Sequence, residues 1–149
     1  MAKRQLLLQP YKPDVAERLG TAVAAVPGTT GRGGQYSDVD IGKAVKYSGD
    51  TMVECADGDE IHGFVTSVNV ASVDGFSVGA VRKEGRVKAI DEAGTLTVGT
   101  VVTAGTAIGV GTAGLANVKA AVTAANVVFP WVVIAVYGDA ADTVLLERV

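Results

Sequence analysis

Cys55 and His62 are the only cysteine and the only histidine of this 149-residue chain, and they fall on consecutive predicted strands. A cysteine nucleophile needs an imidazole in contact with its thiol and a third group that orients the imidazole. Consecutive strands could bring the two side chains together, but a single Cys–His pair arises easily by chance, so we expect no catalysis from it and predict that the chain is not an enzyme. A zinc site fails for lack of ligands, and we expect no cofactor.

A second group with possible chemistry is acidic. Carboxylate oxygens are the ligands that Ca²⁺ prefers, but the spacing here does not follow an EF-hand loop. We therefore expect the acids to form a solvated turn, with a cation site as the alternative. The residues are Asp50, Glu54, Asp57, Asp59 and Glu60.

Two glycine-rich stretches resemble phosphate-binding loops. Residues 109–114 match the spacing G-x-G-x-x-G, but no helix pattern follows and no acid stands about 20 residues later, as a dinucleotide site requires. Residues 28–34 lack the Gly-Lys-Ser/Thr ending of a P-loop. We interpret 109–114 as a turn and 28–34 as a flexible hinge.

Composition predicts the fold class. The chain has 19 glycines, 48% hydrophobic residues and only 5% aromatic residues. Abundant valine favours pleated strands, and abundant glycine favours tight turns between them. No run of about 18 apolar residues is present, so we expect no membrane-spanning helix.

The strand pattern begins after residue 38. Turn signals recur every 8–12 residues, the spacing typical of a sandwich or barrel. We predict an all-β fold, either a compact β-barrel or a jelly-roll-like sandwich, with residues 82–85 as a hairpin turn. The sequence of residues 115–126 is compatible with a helix and equally with a loop and a strand. The predicted strands are 41–47, 51–55, 61–67 with a possible continuation to 73, 75–81, 86–90, 95–102, 107–110, 127–137 and 143–149.

Residues 1–38 form a different segment, which we interpret as an N-terminal arm with a Gly-rich hinge, in front of a body at residues 39–149. Residues 1–34 carry five bases and two acids, a net charge of +3, whereas the remainder carries eight bases and fourteen acids, a net charge of −6. Capping-box spacing of Asp14 and Glu17 allows a short helix over residues 14–25. A basic arm on an acidic body suggests that the arm contacts a partner surface, with a solvated tail as the alternative.

The body also carries a characteristic order of short sequence motifs. A Gly-x-Ala-Val strand at 42–45 is followed by an acidic turn that enters the strand Ile-His-Gly-Phe-Val at 61–65. Gly75-x-x-Val78, a Gly-Arg-Val return at 85–87 and a Thr/Val/Gly-rich section at 94–114 follow. This order, over roughly residues 38–149, resembles the small head decoration, or cement, proteins of tailed bacteriophages.

The resemblance implies a structural virion protein, made in the host cytoplasm, that binds the capsid exterior and stabilises contacts between major capsid subunits. It implies a homo-oligomer, for which we prefer a trimer at a three-fold junction over a dimer. The arm would then lie on the shell. The arm residues expected to contact the capsid are Lys3, Arg4, Leu6, Leu7, Leu8, Tyr11, Lys12 and Arg18.

Other features bear on partners. Phe129 and Trp131 form the one dense aromatic spot, which we interpret as a core or oligomer anchor, with a capsid contact as the alternative. The bases at 82–88 are too few, on an acidic body, for nucleic-acid binding. Two other functions stay open: another virion β module of the tail or head-completion type, and a cellular β-barrel ligand-binding module.

Overall fold

The computed structural model describes residues 14–18, 40–49, 51–69, 78–106 and 114–148, and within these ranges the regular structure is almost entirely β. The predicted all-β fold class with a β-barrel is confirmed. No helix in the described ranges has the length and apolar character needed to span a bilayer. The strands are β1 (Asp14–Arg18), β2 (Ala44–Ser48), β3 (Thr51–Glu54), β4 (Gly63–Asn69), β5 (Val78–Arg82), β6 (Gly85–Asp91), β7 (Val101–Ala104), β8 (Asn117–Ala120), β9 (Trp131–Val136) and β10 (Thr143–Arg148).

The strands form two sheets. Five of them make an antiparallel sheet in the order β1-β5-β4-β2-β3, whose edge strands β1 and β3 approach each other, so that the sheet is curled. The other five close into a barrel in the order β10-β6-β8-β7-β9, with β6 and β8 as its parallel pair. A closed barrel leaves no unpaired edge.

The link between the two sheets corrects one prediction. Residues 82–85 were expected to form a hairpin turn, but β5 pairs with β1 and β4 whereas β6 pairs with β10 and β8. The chain therefore crosses from the curled sheet into the barrel here. Gly85 allows the change of direction because its φ of +83° is costly for residues with a Cβ.

The N-terminal segment brings a second correction. Residues 14–18, predicted to begin a helix, form β1 and pair in register with β5 from Asp14 opposite Arg82 to Arg18 opposite Val78. Sheet pairing has overridden the capping-box signal. The rest of the predicted arm lies outside the described residues, and the boundary at residue 38 stays a prediction.

Two predicted strands begin later than expected. In the segment 95–102, strand structure starts at Val101, because the side chain of buried Asp91 accepts hydrogen bonds from the amides of Ala93 and Leu96 and holds a turn. In the segment 127–137 it starts at Trp131, after Pro130. The open segment 115–126 contains β8 and a short 3-10 helix at Ala124–Asn126.

The hydrophobic residues form two cores. The smaller one lies on the curled sheet and contains Val45, Met52, Val65 and Val81. The larger one fills the barrel and reaches into the curled sheet through Phe64, which packs against Trp131. The two sheets therefore share apolar packing.

Candidate interaction surface

The acidic turn at residues 56–60 connects the curled sheet to the barrel. The amide of Gly58 donates to the carbonyl of Ala104 on β7 at 2.9 Å, and the amide of Ala104 donates to the carbonyl of Asp59 at 2.9 Å. Beside these bonds the Asp57 carboxylate lies 2.6 Å from the ammonium of Lys119 on β8. The turn thus pairs with the barrel through backbone and side chain.

The remaining acids of this group are also engaged. Asp59 lies 2.6 Å from the Lys46 ammonium, Glu60 accepts a hydrogen bond from the Phe129 amide at 2.8 Å, and Glu54 bonds Lys43. Asp50 lies outside the described residues. Residues 56–58 form an exposed turn, as expected, but Asp57 and Asp59 also pair with lysines and Glu54 is buried. Across the described part of the chain, no cluster of three or more Asp, Glu, His or Cys is placed to bind a metal.

Cys55 and His62 each have another hydrogen-bond partner. Cys55 is buried, its thiol donates to the Glu60 carbonyl at 3.7 Å, and burial raises the pKa of the thiol to about 12. A nucleophilic cysteine needs the opposite shift. The Nδ1 atom of His62 accepts the amide hydrogen of Tyr47 at 3.0 Å, and burial lowers the pKa of the imidazole.

Phe129 and Trp131, which the sequence groups into one aromatic spot, have different environments in the structure. Trp131 is 1% exposed and meets Phe64 edge-on inside the core. Phe129 is 53% exposed, and the Arg148 guanidinium lies 4.8 Å from the centre of its ring. Arg148 also donates to the His62 carbonyl at 3.1 Å, so it ties β10 to the curled sheet.

Two segments of the barrel carry no charge of their own, although Arg148 lies over the ring of Phe129. Residues 93–106 and 120–137 contain no charged residue. The loop at 121–130 joins β8 to β9, which flank β7 on either side, so it crosses β7 on the outside of the barrel. We call the exposed apolar side chains of this loop and of the neighbouring 97–100 turn the apolar surface. It comprises Val98 (66% exposed), Val122 (96%), Val128 (70%) and Phe129.

Exposed apolar side chains on charge-free segments fit contact with another protein. Charged residues are depleted at the centre of protein interfaces, and apolar patches of soluble proteins often mark such sites. The segments that carry the patch are held in place: the Ala121 amide donates to the Val101 carbonyl, and the Gly99 amide donates to the Val133 carbonyl. The 97–100 turn and the start of the 121–130 loop are thus each hydrogen-bonded to the barrel.

The predicted arm contacts fall mostly outside this description. Lys3, Arg4, Leu6, Leu7, Leu8, Tyr11 and Lys12 lie outside the described residues, and Arg18 is the last residue of β1. The apolar surface itself was missed, although the two long charge-free stretches were visible in the sequence. Arg148 gave no local signal, because its partners come from residues 62 and 129.

Comparison of the chain with known proteins identifies no relative. No protein-family model, no curated protein and no solved structure matches it.

Proposed function

We propose that this chain is a structural virion protein that binds the outside of a phage capsid and stabilises contacts between major capsid subunits. It acts without a cofactor and without catalysis, as a homo-oligomer for which a trimer is preferred. It is made in the host cytoplasm and ends on the capsid exterior. The proposal rests on the order of short sequence motifs over roughly residues 38–149, described above.

The observation that supports this function best is the apolar surface on a closed barrel. A decoration protein must present a rigid contact area to a repeating shell, and many modest contacts on such a shell add through avidity. Val98, Val122 and Val128 supply contact area without charge, and the barrel beneath them has no edge that could pair with other chains. The basic arm would add a second, extended contact.

Binding to undecorated mature heads tests the proposal. We expect the purified full-length chain to bind saturably, at tens to hundreds of copies per particle, and to raise the temperature at which the heads release their DNA. The absence of saturable binding, or binding that leaves head stability unchanged, would overturn it. A copy number of only a few would instead indicate a tail or head-completion module.

Two variants and one control distinguish the contribution of the apolar surface to head binding from that of the arm. Val122→Asp with Val128→Asp places charges on the apolar surface, and we expect this pair to weaken head binding at least tenfold. Ser48→Asp adds a charge at the exposed end of β2 in the curled sheet and should bind as the wild type does. Deletion of residues 1–13 removes every predicted arm contact except Arg18, keeps β1, and should also weaken binding.

A further inference from the structure

Lys43 lies buried between two carboxylates. Its Nζ atom is 2.8 Å from Oδ1 of Asp40 and 3.1 Å from Oε2 of Glu54. The side chains are 4%, 0% and 3% exposed for Lys43, Asp40 and Glu54. An amine and two carboxyl groups are therefore held in contact inside the protein, with little access for water.

The backbone fixes both ends of this cluster. The Lys43 amide donates to the Asp40 carbonyl at 3.1 Å, and the Lys43 carbonyl accepts from the Val65 amide at 3.0 Å. Glu54 lies opposite Val45 in the β2–β3 register, and the next bond, from the Cys55 amide to the Ala44 carbonyl, continues the pairing. Lys43 immediately precedes β2 and Glu54 ends β3, so the pairing of these two strands sets the spacing of the two side chains.

Burial away from water disfavours the charged form of a carboxyl group. Burial raises the pKa of the Glu54 carboxyl, in spite of the opposing hydrogen bond from Lys43. A neutral carboxylic acid therefore becomes accessible beside the amine, and a carboxylic acid is the form that an amine can attack.

We propose that Lys43 and Glu54 condense in the folded chain to an intramolecular amide that joins β2 to β3. The Lys43 ammonium transfers a proton to Asp40, and the amine nitrogen forms a bond to Cδ of Glu54. The C–OH bond then breaks, and the hydroxyl leaves as water with a proton relayed through Asp40. Ammonium, carboxylic acid and carboxylate become amide, water and protonated Asp40, and nothing is oxidised or reduced.

The fold supplies what favours this reaction. Groups held in reactive contact reach effective molarities of about 10⁵–10⁸ M, which offsets the preference of amides for hydrolysis in dilute solution. The product replaces a buried ammonium and a buried carboxyl group with an uncharged amide. A narrow cleft lined by Lys43, Glu54, Cys55 and Asn117 has room for about one water molecule, and it provides an exit for the one released.

Intact mass spectrometry of the denatured full-length chain, after storage of the folded protein at neutral pH, tests the proposal. We expect the mass to be lower than the sequence mass by one water. Trypsin cuts after Lys46 but not at an acylated Lys43, so the digest should contain residues 33–46 and 47–82 as one branched pair. Fragmentation should place the link between Lys43 and Glu54.

Control variants distinguish an amide between Lys43 and Glu54 from other causes of water loss. Lys43→Arg keeps the positive charge without a nucleophilic amine and should restore the full mass, whereas Lys46→Arg should still lose water. An unreduced wild-type mass overturns the proposal. So does a water loss without the branched pair, which would indicate a succinimide at Asp57-Gly58 or a link from Lys43 to Asp40 within residues 33–46.

Discussion

The ring of Phe64 meets the indole of Trp131 edge-on, with ring centres 5.0 Å apart and an interplanar angle of 86°. Phe64 belongs to β4 of the curled sheet and Trp131 to β9 of the barrel, and each is 1% exposed. Aromatic pairs in this geometry contribute beyond their buried area. The contact therefore links the two sheets through their shared core.

Replacing Phe64 should destabilise the whole molecule. Phe64→Ala removes a buried ring, and we expect it to lower the free energy of unfolding by about 3–5 kcal/mol. Phe129→Ala is the matched control: its ring is 53% exposed, so the loss should stay below about 1 kcal/mol. Urea unfolding followed by the fluorescence of Trp131, the chain's one tryptophan, measures both. Equal losses would contradict the assignment of Phe64 to the shared core.

Gly63 is expected to tolerate no side chain. A Cβ at this position would overlap Cγ1 of Val81 and stand 2.9 Å from the carbonyl oxygen of Arg82. Gly63→Ala should therefore lower the free energy of unfolding by about 1–3 kcal/mol, because β4 must move away from β5. Gly49→Ala, at an open turn with φ +62°, should cost about 1 kcal/mol from backbone strain alone. A larger loss at Gly49 than at Gly63 in urea unfolding would contradict this packing.

His62 should make stability depend on pH. Burial lowers its folded-state pKa below the ordinary 6.5, so the neutral imidazole stabilises the fold above about pH 6.5. That contribution is lost as the pH falls through the folded pKa. His62→Asn offers an oxygen to the Tyr47 amide but does not titrate, so its stability relative to wild type should improve between pH 7 and pH 5. An unchanged difference across this range, from urea unfolding, would refute the coupling.

Asp59 should make the stability of the fold depend on pH in the acid range. Burial alone would raise the pKa of its carboxyl, but the hydrogen bonds from Lys46 and the Ala56 amide outweigh burial and lower it below 3.8. The carboxylate therefore stabilises the fold above about pH 4, and this stabilisation is lost as the pH falls through the lowered pKa. Asp59→Asn should cost less than about 1 kcal/mol at pH 7, because the pair is partly exposed. Thermal unfolding should show the variant and wild type converging near pH 2, and a constant gap would count against the ion pair.

Local patterns in the sequence were sufficient to predict most of the strands. Alternating valines and recurrent glycines predicted most strands, since burial on a pleated surface has a period of two residues and tight turns need particular residues. The beginnings of β7 and β9 were misplaced because the Asp91 side chain and Pro130 act on backbone that looks strand-like in sequence. β1 was misread because its pairing with β5 outweighs its own capping signal.

The sequence by itself determined that this protein is all-β and poor in aromatics, because those properties follow from residue types and short-range order. Only the tertiary structure decided that β5 leads out of one sheet into another, that the acidic turn pairs with Lys46 and Lys119, and that Lys43 is buried between Asp40 and Glu54. These relationships join residues from different strands. They depend on strand order and register, which are set by packing of the whole chain and leave little trace in any local pattern.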